Sequence, residues 1–146
     1  MNRKKVTTTM IDSMIQTLKQ LGISTQTITS CYIKGSVAHV QIEFVGDVKG
    51  YLILEMSPVL ACKIANVMLA GMTSVDSIDK MCESVLGEAC NMISGGICTA
   101  LSNIFLLSDI KPPYVDIRQK GLNPEQAISL IESDTKEYIN VYFIYT

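Results

Sequence analysis

The sequence predicts an α/β sandwich of the α+β type, a largely antiparallel sheet packed against helices. Three observations lead there. Three segments repeat apolar residues at steps of three and four, the spacing of one helix face. Other segments alternate apolar and polar residues, and Tyr138–Tyr145 is dense in the aromatic and β-branched types that strands favour. Short turns carrying Gly, Asp or Ser join several of these strands, so the chain doubles back antiparallel to itself.

The first helix is expected over Thr7–Leu21. Met10, Ile11, Met14, Ile15, Leu18 and Leu21 form its stripe, the threonines offer a cap, and Gly22 suits a left-handed exit. Ile28–Ile33 and Val37–Val45 then turn to period two. In the second run Ala38, Val40, Ile42 and Phe44 alternate with His39, Gln41 and Glu43, which predicts a strand with one wet side and an exposed His39. Gly46-Asp47 and Gly50 lead into Tyr51–Met56, its hairpin partner. Ser57-Pro58 then caps and opens a helix that runs to Ala70, with Gly71 ending it.

After the long helix described below, Pro112-Pro113 breaks the chain before a strand at Tyr114–Arg118. Ala127–Glu132 fits either a short helix capped by Asn123 or a strand. The turn Ser133-Asp134-Thr135-Lys136 favours the strand. Tyr138–Tyr145 closes the sheet, and is expected at an edge where unpaired backbone invites a partner.

Composition narrows the function. At 146 residues, 48% of them hydrophobic, the chain is one domain (1–146) with a real core rather than a disordered segment. A net charge of −2 and the lack of any basic helix exclude a general nucleic-acid binder. Cys31, Cys62, Cys82, Cys90 and Cys98 include no Cys-x-x-Cys, and the sole histidine is remote from them, so zinc is not expected. Free thiols and the lack of a signal peptide after the basic Met1–Lys5 point to the cytoplasm. No apolar run is long enough for membrane insertion. There is no Gly-x-Ser-x-Gly, phosphate-cradling loop or dinucleotide fingerprint.

The organising segment is a helix expected from about Ser77 to Ile104. Ile78, Val85, Ala89, Ile93, Ile97, Ala100 and Ile104 form its apolar face. On the opposite side Ser84, Glu88 and Asn91 fall within roughly 60° of one another. Gly95 lies on their line and Gly87 beside it. A glycine inside a helix costs about 0.5–1 kcal/mol relative to alanine. Two of them next to a polar stripe predict a surface clear of side chains, where another backbone approaches. Cys82, Cys90 and Cys98 on the same helix read as small hydrophobes.

Ser84, three residues, Glu88, two residues, Asn91, then Pro112 and Pro113, resembles the signature of the CheC/CheX/FliY family of chemotaxis phosphatases. Asn91-Met92-Ile93-Ser94-Gly95 is also similar to the family's phrase after its asparagine. The proline falls about one position short of the usual gap. Some members carry a second Glu-x-x-Asn on the preceding helix. This chain has Lys63-Ile64-Ala65-Asn66 there, so a single active stripe is expected, with Asn66 a surface or capping residue.

The resemblance implies a CheX-like fold and an activity: dephosphorylation of a phosphorylated CheY-like response regulator. Glu88 and Asn91 would be the catalytic pair, with Ser84, Gly87 and Gly95 at the binding surface. Asn91 would orient the attacking water, and Glu88 would anchor to the partner's lysine. The chain would need no cofactor of its own, because the regulator brings a divalent metal such as Mg. The alternative is a non-catalytic module that docks a regulator or a flagellar-switch component. Family likeness also implies a homodimer formed by sheet extension.

Overall fold

The computed structural model describes residues 2–146. In chain order come helix α1 (Arg3–Gln20), strands β1 (Thr25–Ile28), β2 (Val37–Gly46) and β3 (Gly50–Met56), and helices α2 (Pro58–Leu69) and α3 (Lys80–Ser102). Strands β4 (Ser108–Ile110), β5 (Tyr114–Arg118), β6 (Ile128–Glu132) and β7 (Tyr138–Tyr145) follow, with a 3₁₀ turn at Pro124–Gln126 before β6. All strands pair antiparallel in the order β1-β6-β7-β3-β2-β4, and β5 pairs with the other half of β2. This is the α+β class the sequence predicts.

The helices cover one face of this sheet. Ala38, Val40, Ile42, Leu52, Leu54, Val141 and Leu130 on the strands meet Met10, Met14, Leu18, Leu60, Ile64, Leu86, Ile93 and Ile97 on the helices in one buried cluster. Alternation along each strand supplies these residues, since every second side chain points to the helices. Asn2, not a threonine, caps α1: its side chain accepts from the Lys5 amide, so the helix starts earlier than expected. Gly22, at φ 87°, makes the predicted left-handed exit.

The second face is wet only in part. His39, Glu55, Asn140 and Ser129 stand directly opposite one another across β2, β3, β7 and β6. None is more than 2% exposed. His39 therefore corrects the expectation of an exposed strand residue: its Nδ1 lies 2.6 Å from Glu55 Oε2. Glu55 Oε1 also accepts the Leu122 amide at 2.7 Å. Asn140 donates to the Cys31 carbonyl at 2.8 Å, and the Cys31 amide donates to Ser129 Oγ at 2.9 Å. This polar row ties the segments around Cys31 and Leu122 over the sheet, because buried polar groups demand partners. Alternation along one strand could not show that loops close its far side.

Two strand expectations also change. Ile28–Ile33 is mostly loop, with the strand lying earlier at Thr25–Ile28. Tyr138–Tyr145 is interior, paired to β3 on one side and β6 on the other. The open edges belong to β1 and to β4 with β5.

Candidate functional site

Helix α3 carries the polar stripe, and both of its ends are fixed. Asp79 Oδ1 accepts the Cys82 amide at 2.8 Å as the N-cap. At the other end the Leu106 amide returns to the Leu101 carbonyl at 2.9 Å, with Phe105 at φ 64° making the turn. The predicted limits at Ser77 and Ile104 thus lie just outside the helix. Its buried face is Cys82, Leu86, Ala89, Cys90, Ile93, Ile97 and Leu101. Compared with the expected stripe it is turned towards Leu86, Cys90 and Leu101, leaving Val85 and Ala100 half-buried. Packing against helices on one flank and β5 on the other causes that turn.

Ser84 and Glu88 are exposed and Asn91 is half-exposed, one turn apart on the same outward side. Three other polar side chains of the helix bond to its own backbone. Ser94 donates to the Cys90 carbonyl, Thr99 to that of Gly95 and Ser102 to that of Thr99. Among the described residues Ser84, Glu88 and Asn91 make no side-chain hydrogen bond or ion pair. Their donors and acceptors face outward unspent.

The glycines divide into three kinds. Gly95 is exposed, with nothing within 4 Å of where a Cβ would stand, as expected for a surface left clear beside Asn91. Gly87 corrects the expectation. It is buried, and a Cβ there would meet Val115 Cγ2 at 3.8 Å and Pro113 Cγ at 3.9 Å. These are ordinary van der Waals distances, so Gly87 lies beneath the chain's own Pro113–Val115 segment rather than open to a partner. Gly96, which sequence reasoning passed over, is where α1 crosses α3: a Cβ would come 2.7 Å from Thr17 Oγ1. The paired Gly95-Gly96 was its only signal.

On the second helix the positions of a second Glu-x-x-Asn are engaged within the chain. Lys63, in the place of a glutamate, reaches Glu132 Oε1 at 3.0 Å and Asp134 Oδ2 at 2.9 Å. Asn66 donates to the Val75 carbonyl and accepts the Val75 amide, clamping the loop before α3. Both side chains are spent on the fold. Cys82 and Cys90 are inert: burial pushes their thiols up to about 12, far from thiolate formation near neutrality. Among the described residues no group of three or more His, Cys, Asp or Glu is placed to hold a metal ion.

A family model described as chemotaxis phosphatase CheX matches residues 38–130, which include the stripe and both prolines. The chain belongs to the CheX family. Solved structures share its fold. A chemotaxis protein CheX from Desulfovibrio desulfuricans superposes with a TM-score of 0.73 at 18% identity, over 97% of this chain and 99% of that one. The CheX of a CheX–CheY–BeF3–Mg complex from Borrelia burgdorferi does so with a TM-score of 0.69 at 22% identity, over 94% and 95% of the two chains. FliY from Thermotoga maritima gives 0.67 at 22% identity, over 90% and 82%. A comparison with curated protein sequences finds no match. No helix in the described residues is long and apolar enough to cross a membrane.

Proposed function

We propose that this CheX-family protein accelerates loss of the phosphoryl group from a CheY-like response regulator, with Glu88 and Asn91 as the working pair. The observation that carries the reading is a carboxylate and an amide on one outward side of α3, neither engaged within its own chain. An aspartyl phosphate has a good leaving group. Water attacks phosphorus, the bond to the aspartyl oxygen breaks, and inorganic phosphate leaves with the carboxylate restored.

Little covalent chemistry is left for the catalyst, so positioning the water dominates. Asn91 both donates and accepts, which is what holding a water in line requires. Glu88 forms a charge-assisted contact with a lysine beside the partner's phosphorylated carboxyl, which fixes the asparagine in register. Ser84 borders the stripe on the partner-facing side, and Gly95 leaves the clearance. The metal that neutralises phosphoryl charge belongs to the regulator.

The test is phosphate release from an acetyl-phosphate-charged response regulator with and without this protein. Release faster than the regulator's own decay supports the reading. Binding without acceleration would make the protein a docking module instead.

A further inference from the structure

Resting on the reading of Glu88 and Asn91 above, we propose that Met81 and Met92 form an apolar shoulder beside that pair and select the partner by contact with an apolar patch next to its phosphorylated carboxyl. Both methionines are 48% exposed, whereas Met10, Met14 and Met56 are at most 2% exposed in the core. At 100° per residue Met81 and Met92 stand roughly 20° and 40° to one side of Glu88, and Asn91 roughly 60° to the other. Eleven residues apart, they form one column about 16 Å long. Half-buried Val85 lies between them on the same flank.

The two flanks of the pair differ in kind. On the Asn91 side the chain's own Pro113 and Val115 close over Gly87 and present a rigid wall. The Glu88 side offers two flexible thioethers beside half-buried Val85, and thioethers adapt to differently shaped partners. A stripe that must enter a partner's pocket brings everything within one turn of it into contact. The methionines are therefore the first apolar groups the partner meets outside that pocket, and they are continuous with the proposed contact. The occupant is a folded receiver domain whose pocket rim is apolar on the side facing its lysine. Dispersed surface apolars are ordinary; a column bordering the outward Glu88–Asn91 pair is not dispersed.

The experiment compares wild type with Met81→Gln/Met92→Gln, a change that keeps side-chain length and helix preference. Phosphate release is followed against regulator concentration, and binding is measured with beryllofluoride-charged regulator. The expected result is a KM and a dissociation constant raised about tenfold, with kcat unchanged, because the lost contact is made equally in ground and transition states. Leucine at both positions should restore affinity. Unchanged KM and affinity overturn the shoulder while leaving the phosphatase reading intact. A fall in kcat alone also overturns it. If wild type binds through the methionines but releases no phosphate, the shoulder stands and the catalytic reading fails. If wild type neither binds nor dephosphorylates, both fall.

Discussion

His39 Nδ1 and Glu55 Oε2 lie 2.6 Å apart, facing each other across β2 and β3, with each side chain 1% exposed. Glu55 also receives the Leu122 amide, so a single carboxylate pins the segment around Leu122 over the sheet. Removing one member of a buried pair strands the other. Glu55→Ala should therefore cost about 3–5 kcal/mol in urea unfolding. The double variant with His39→Ala should cost less than the two single losses summed, since the cycle shares one interaction.

Glu132 makes stability acid-sensitive. Burial pushes its carboxyl up, but the Asp134 and Thr135 amides, the Thr135 hydroxyl and Lys63 outweigh that, bringing it down from 4.5 to about 2. A carboxyl lowered in the folded state stabilises fully above its unfolded value near 4.5, and that contribution fades as pH falls towards about 2. Glu132→Gln should lose on the order of 3 kcal/mol at pH 7 and flatten the stability profile between those limits. Lys63→Glu, which rebuilds a Glu-x-x-Asn spelling, should destabilise the fold through like charge against Glu132 and Asp134. It should add no activity, because Asn66 is committed to Val75. Urea midpoints across pH and phosphate release check both.

Adjacent glycines on α3 should respond oppositely. Gly95→Ala meets nothing within 4 Å and should gain about 0.5–1 kcal/mol in thermal unfolding, the helix-interior cost of glycine. Gly96→Ala drives its Cβ against Thr17 Oγ1 and should instead lose on the order of 1 kcal/mol. If Gly95 clears space for a partner, Gly95→Ala should also raise KM despite the more stable fold.

Period and punctuation made most of this architecture legible. The β2–β3 hairpin, the Ser57 cap and the strand at Tyr138–Tyr145 follow from alternation, a Ser-Pro pair and β-branched density, all local properties. The outward stripe was legible too, since helix periodicity fixes which residues share a side. What failed was non-local. Whether β7 lay at an edge depended on β6 reaching it from one side and β3 from the other. The burial of His39 depended on the distant segment around Leu122 folding back over it. Gly87 was misassigned because its covering strand, β5, carries no local mark of contact with α3.

Sheet edges lead to a prediction about assembly. With β7 interior, a homodimer built by sheet extension must use β1 or the β4–β5 edge. Light scattering at micromolar concentration should give twice the 16.0 kDa chain mass. A monomer mass would contradict it.

The most direct measurement is phosphate release from charged regulator by wild type and by Asn91→Ala, with thermal unfolding recorded on both. The predicted result is loss of nearly all acceleration while stability stays within about 0.5 kcal/mol, as for an outward side chain with no partner in its own chain. Equal rates for the two proteins would contradict the account, and so would a large loss of stability.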